Sequence, residues 1–195
     1  MILITLPKIE PGPLQQLIAR RRSVRDYSDA PLCLEDASAL LWAVQGITGP
    51  GLRTAPSAGA IYPMELYLLS GNVAGMPSGI YRHLPEDNAV ELLEEGDRRP
   101  ELARAAMGQG WINDAALVIV FAARYRRTTF KYGSRGIRYV HIEVGHAAQN
   151  VLLMAASLNL GAAEVGAFDD EEVSLLLRLH KEESPLYLVP VGHPK

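Results

Sequence analysis

The stretch that most constrains this chain is residues 115–123, nine consecutive apolar residues reading AALVIVFAA. A run this short, uniformly apolar and rich in Val and Ile reads as a central β-strand covered on both faces rather than a strand with one wet side. The rest of the chain then has to supply cover for two faces. Residues 64–70 read as a further strand. Residues 79–84 and 89–94 read as two short strands joined through the turn-forming Pro85, Glu86, Asp87 and Asn88. Residues 186–191 close the chain as another strand.

Helical spacing occupies much of the remainder. Gly12 and Pro13 mark the start of a short first helix with Leu14, Leu17 and Ile18 on one face, running into Arg20, Arg21 and Arg22. A second helix over residues 35–47 turns Leu40, Leu41 and Val44 inward and breaks at the glycines and Pro50 of residues 46–51. Residues 101–107 form a third. Residues 137–160 form a long, largely apolar helix with Gly161 as its left-handed stop. Asp169 caps a last helix with Asp170, Glu171 and Glu172 in its first turn and Arg178 and Lys181 near its end, an order that complements the helix dipole. Residues 54–63 and 124–136 read as loops, and residues 162–167 as a short strand or loop. Mixed helices and hairpin-like strands fit an α+β fold better than regular βαβ winding.

Length and charge narrow the classes of function. At 195 residues the chain is expected to form one domain, residues 1–195. The net charge of −3 disfavours whole-molecule attraction to nucleic acid or an anionic membrane. The single cysteine, Cys33, cannot form an internal disulfide or a Cys-rich zinc site. With no basic leader before the apolar residues 1–6, the expectation is a cytoplasmic protein. His141 and Glu143 resemble the start of a zinc deaminase motif, but its Pro-Cys-x-x-Cys partner is absent. His141 and His146 stand five apart and do not share a helix face as a zinc-protease pair does. Gly108 and Gly110 follow a helix and lack the third glycine of a dinucleotide fingerprint. No metal site is expected.

Three elements carry chemistry. Arg20, Arg21, Arg22, Ser23 and Arg25 form a dense cationic cluster able to grip a phosphate, with Arg21 and Arg25 on one side of a continuing helix. Cations at a helix C-terminus are also favourable without a ligand. Pro56, Ser57, Ala58, Gly59 and Ala60 form a loop of small residues whose backbone can approach a flat ligand, or simply a connection. Residues 161–169 offer backbone N–H groups between two helices. Arg124, Arg126, Arg127, Lys131, Arg135 and Arg138 are interleaved with Tyr125, Phe130, Tyr132 and Tyr139, a mixture that also suits a nucleic-acid-binding module.

Taken in order, these elements resemble the FMN-dependent nitroreductase superfamily over residues 6–194. The carrying residues are Arg21, Arg22, Ser23 and Arg25, then Pro56 to Pro63, then Val165 to Asp169. Residues 131–139 (KYGSRGIRY), 143–150 (EVGHAAQN) and 185–192 (PLYLVPVG) look most like the SagB-type dehydrogenases, which include oxidases of azoline rings in modified peptides. The resemblance implies an intertwined homodimer with a central, mostly antiparallel sheet flanked by helices and with FMN at the interface. It implies hydride transfer at flavin N5 between NAD(P)H or an organic donor and a small organic acceptor, with no nucleic acid or membrane as partner. Arg21, Arg22, Ser23 and Arg25 would hold the FMN phosphate, ribityl chain or pyrimidine edge. Pro56, Ser57, Ala58 and Gly59 would lie along the ring from the partner subunit. Gly166 and Ala167 would aim N–H groups at N5 and O4. Lys131 and Tyr132 would be the catalytic pair beside the substrate, a desolvated lysine taking up a proton as hydride leaves. Lys195 is a further cation that could reach the phosphate.

Overall fold

The computed structural model describes all 195 residues, Met1–Lys195. Six helices and eight strands follow in chain order. They are α1 (Pro13–Arg20), α2 (Leu34–Gln45), β1 (Ile47–Gly49), β2 (Leu52–Arg53), β3 (Met64–Ser70), β4 (Gly79–Leu84), β5 (Ala89–Glu95), α3 (Arg99–Ala105), β6 (Leu117–Ala123), α4 (Tyr125–Tyr132), α5 (Arg135–Ser157), β7 (Gly161–Ala162), α6 (Asp170–Leu176) and β8 (Ser184–Gly192). Six of the strands form one sheet in the order β5-β4-β3-β6-β8-β7, with every pairing antiparallel. The fold is therefore α+β, as expected.

β6 sits inside this sheet, and all seven of its residues are buried. Leu117, Ile119 and Phe121 point into a core shared with Leu40 and Val44 of α2 and with Val144, Ala147 and Val151 of α5. Val118, Val120 and Ala122 point into a second core with Leu102 of α3, Val173 of α6 and Tyr27. The period-2 alternation of a strand delivers successive side chains to opposite cores. This is why a nine-residue apolar run needs helices on both sides.

Helix boundaries follow local chemistry. Gly12 is the N-cap of α1 with Pro13 in its first turn. Asp169 caps α6, its carboxylate accepting the Glu172 amide at 2.9 Å. The apolar face of α1 is largely uncovered: Leu14 is 58% exposed and Ile18 52%. Gly161 is not the stop of α5. Asn159 takes the left-handed conformation there, with φ 58°, and Gly161 opens β7. A Cβ on Gly161 would lie 2.6 Å from Val24 Cγ1, so the glycine serves a close approach of two chain segments. The glycine-punctuated residues 46–51 form part of the β1–β2 hairpin rather than an irregular break.

The largest departure is over residues 124–136, expected as a loop. Residues 125–132 are helix α4, and α5 begins at Arg135. Its polar side chains are held from a distance. Arg124 donates to Glu183 at 2.7 and 2.9 Å, and Arg127 donates to Glu65 at 2.6 Å. Arg82 donates to the other oxygen of Glu65 at 2.9 Å. Gly136 lets α5 approach, since a Cβ there would stand 2.8 Å from the Thr129 amide nitrogen.

The Glu183 side chain is fully buried and also accepts the Tyr67 hydroxyl at 2.7 Å. Burial pushes this carboxyl up, but hydrogen bonds from Tyr67, Arg124 and the His180 amide outweigh it and hold it below its ordinary value of 4.5. Its contribution to stability is therefore present above that value and lost as the pH falls through the folded-state pKa. Glu183→Gln removes the charge opposite Arg124 and is expected to cost about 2–4 kcal/mol at neutral pH by urea unfolding. The gap between variant and parent should narrow on acidification.

Candidate active site

The cationic cluster lies where α1 ends. Arg21 caps the helix with an extended backbone, φ −51° and ψ 130°, so Arg21 and Arg25 do not share a face of a continuing helix. The chain then runs beside β7. Ser23 bridges Ala162, and the Val24 amide donates to the Ala162 carbonyl at 3.0 Å. Arg20 donates to the Ala156 carbonyl at the end of α5. Arg22 donates at 2.7 Å to the carbonyls of Ala19 and Arg21, which occupies it at the helix end. Arg25 stands 5.6 Å above the Trp111 ring, and Ser23 Oγ donates to Glu164 at 3.3 Å. Lys195 pairs with Asp26 at 2.9 Å.

Arg21 differs from its neighbours. Its Nη1 is buried and has no hydrogen-bond partner. Arg20, Arg21, Arg22, Val24, Asn159 and Ala162 help line a cavity of about 230 Å³. A buried guanidinium nitrogen without an acceptor is costly, and an anionic oxygen would satisfy it. The residues present thus fit a phosphate group.

β7 leads from this cavity to Gly166 and Ala167. Their amides make no hydrogen bond within the chain, while the Ala167 carbonyl accepts Gln109 Nε2 at 3.1 Å. Gly166 borders a hollow of about 480 Å³ together with Tyr125, His141, Gly145, Phe168 and Tyr187. The Tyr125 hydroxyl is hydrogen-bonded to His141 Nε2. Gly145 has open space where a side chain would stand, so the wall of α5 is flat there.

The small-residue loop belongs to a second group. Gly59 has φ +65°, and Ala60 and Tyr62 also adopt positive φ, 53° and 51°. Such a backbone persists only where its surroundings hold it. Ser57 Oγ accepts the Tyr62 amide at 2.9 Å. A Cβ on Gly59 would lie 2.7 Å from the Tyr132 hydroxyl and 2.8 Å from Lys131 Nζ. The loop and the Lys131–Tyr132 pair therefore meet, although Gly59 and Lys131 stand 72 positions apart in the sequence. Tyr132 in turn packs edge-on against Tyr139 of α5 at 5.2 Å.

Glu143 joins this second group, a residue that the sequence marked through an incomplete zinc deaminase motif and gave no part in the site. It is 3% exposed, and its Oε1 has no partner. Burial raises its pKa from 4.5 to about 7, against the opposing hydrogen bond of Ser57 and the field of Arg53. Its signal was its register: Val140, Glu143, Val144 and Ala147 share the buried stripe of α5, and a carboxylate among apolar positions calls for a reason.

The two groups do not meet within one chain. Tyr139 and Glu143 lie on one side of α5. His141 and Gly145, two positions further on from each, lie on the other by the ~100° advance per residue of an α-helix. Within the aromatic and cationic stretch of residues 124–139, Arg124, Arg126 and Arg127 are paired with Glu183, Glu182 and Glu65.

A helix-flanked antiparallel sheet, with a cationic corner and a flat-walled hollow along one connection, defines a class. Residues 18–193 match the Nitroreductase family, and the chain belongs to it. A candidate nitroreductase of Methanocaldococcus jannaschii is 47% identical over 190 residues, covering 97% of this chain and 95% of that one. The microcin-processing protein McbC of Escherichia coli is 29% identical over 133 residues, covering 65% and 48%. The NAD(P)H FMN reductase of Bacillus subtilis is 25% identical over 187 residues, covering 89% and 62%. A crystal structure of a candidate nitroreductase from Anabaena variabilis superposes with TM-score 0.82 at 28% identity, covering 93% of this chain and 38% of that one. The chain thus spans nearly the whole archaeal relative and about half to two thirds of the other two proteins. No helix is long and apolar enough to cross a membrane.

A carboxyl whose folded pKa exceeds its unfolded one binds more protons when folded, so stability falls as pH rises between the two values. From 4.5 to about 7, Glu143 is expected to remove about 1–3 kcal/mol after solvent screening. Thermal unfolding followed from pH 5 to pH 8 should show this decline, and Glu143→Gln should flatten it and be the more stable protein at pH 8.

Proposed function

We propose that this chain is an FMN-dependent oxidoreductase that moves hydride between NAD(P)H or an organic donor and a small organic acceptor. The observation that carries the reading is the buried, partnerless Nη1 of Arg21, a residue that lines a small cavity together with Arg20 and Arg22. When bound, FMN supplies hydride acceptance and donation at its N5. Arg21 would bind the phosphate, with Ser23 and Arg25 beside it along the ribityl chain. The free amides of Gly166 and Ala167 would orient the ring and favour negative charge on its N5 and O4 side. The B. subtilis relative, an FMN reductase by name, supports the same cofactor.

The single domain of this reading works as a homodimer. Arg21 and Gly166 lie apart from Pro56, Ser57, Ala58 and Gly59 in one chain. A second copy would bring the loop group to the phosphate group and enclose the ring between them. In that arrangement Lys131 and Tyr132, held against Gly59, stand at the substrate side of the pocket.

A second reading rests on that contact. Lys131 Nζ and the Tyr132 hydroxyl converge on one point of the loop, and McbC is among the relatives. The substrate would then be an azoline-like ring, with Lys131 accepting the ring proton as hydride departs and Tyr132 fixing its position.

Titration of the purified protein with FMN is expected to reach one flavin per chain and turn the protein yellow. Arg21→Ala should weaken uptake at least tenfold without altering the far-ultraviolet circular dichroism. A protein that takes up no FMN overturns the reading. For the second reading, Lys131→Ala should keep the flavin and its reduction by NAD(P)H. It should lose at least a hundredfold in turnover of a thiazoline-containing peptide. Equal turnover of that peptide by both proteins overturns the lysine's role.

A further inference from the structure

A groove between α2 and the β4–β5 hairpin lies outside the residues placed in the site. It encloses about 770 Å³, a size usual for an occupied cleft, and its lining includes Leu34, Trp42, Leu68, Met76 and Val90. Leu34 and Trp42 are each 49% exposed. His83 of β4 also lines it. This histidine is 6% exposed, and its Nδ1 is buried with no hydrogen-bond partner. Burial, aided by the field of Arg53, lowers its pKa to about 4, so the ring is neutral at pH 7. An open apolar groove with an unmet ring nitrogen is incomplete as it stands.

The same chain carries an object of the complementary kind. Residues 1–10 are exposed throughout, and Met1, Ile2, Leu3, Ile4, Leu6 and Ile9 range from 72% to 122% exposed. None of their backbone groups is hydrogen-bonded to the rest of the chain. Extended backbone with free N–H and C=O groups can meet a buried histidine nitrogen in either tautomer. Arm and groove are both open in one chain, so the arm does not cover its own groove. The apolar face of α1 that follows the arm, with Leu14 and Ile18, is uncovered too, so whatever covers α1 is placed to receive the arm.

We propose that residues 1–6 of one chain occupy the groove between α2 and the β4–β5 hairpin of a second copy, each copy receiving the other's arm. The reach suffices, since ten extended residues span roughly 33–36 Å. By the scaling of unfolded-chain surface with mass, six residues expose roughly 1,000 Å². Burying half of each arm with an equal area of groove gives roughly 1,000 Å² per partner, enough for a stable interface. A symmetric exchange closes the assembly at two copies.

The lone thiol makes this testable. Cys33 is free, exposed and the N-cap of α2, adjacent to Leu34 on the groove wall. Ile2→Cys, Leu3→Cys and Ile4→Cys together sample both faces of an extended arm. Under mild oxidation at least one is expected to give a covalent dimer on a non-reducing gel, with a peptide joining the arm cysteine of one chain to Cys33 of the other. Adding Ser38→Trp, an exposed residue of the groove lining, should cut that yield at least tenfold. A link within one chain, links only between like positions, or no link in all three variants overturns the proposal. The test needs no flavin, so a colourless protein that cross-links keeps the arm exchange. A dimer by sedimentation that gives no such link keeps the dimer and removes the arm from the groove.

Discussion

Strand β6 is the constraint on which the rest of this structure depends. Its seven residues are all buried, and their alternation feeds two separate cores. A strand of that kind cannot lie at an edge or face water on one side. It therefore requires β3 and β8 as neighbours and helices on both faces: α2 and α5 on one, α3 and α6 on the other. The site follows from this layering. β7 hangs at the end of the sheet beside β8, which places Ala162 next to the cationic chain leaving α1. Helix α5 packs across the sheet and separates that corner from the Pro56–Gly59 loop.

Polar order at the end of the sheet is equally specific. Glu65 of β3 and Glu183 just before β8 hold Arg124 and Arg127 at the start of α4. That clamp sets where α4 ends, and the last turn of α4 carries Lys131 and Tyr132 to Gly59. The geometry at the loop thus traces back to carboxylates on strands remote in sequence. Such a network specifies a single arrangement because each buried member is costly once a partner is lost.

Much of the fold was legible from periodicity and punctuation. β3 and β4 match the residues read from sequence, and β6 differs only by the two alanines at its start. The caps at Gly12 and Asp169 were readable because capping is local chemistry. Residues 124–136 were misread because a basic, aromatic stretch looks solvated when its partners, Glu65 and Glu183, lie about sixty residues away on either side. Gly161 was misread because its neighbour Val24 is equally remote. In the site, Arg21, Gly59, Gly166, Lys131 and Tyr132 were all marked by composition and resemblance. Glu143 was read as part of an incomplete zinc deaminase motif and given no role, because the burial of one acid in an apolar helix is set by tertiary packing.

The sequence by itself determined the two-sided strand, the helix caps, the cationic cluster and the small-residue loop, since each depends on residues a few positions apart. Only the tertiary structure decided that Arg21 keeps an unmet guanidinium nitrogen while Arg22 is tied to its own helix end. Only it could join Lys131 and Tyr132 to Gly59, and place that group across α5 from Gly166. These are matters of which distant atoms share a volume from which water is excluded. Hydrophobic spacing selects the faces that are buried, but the partners met on those faces are set by how the whole sheet and its helices pack.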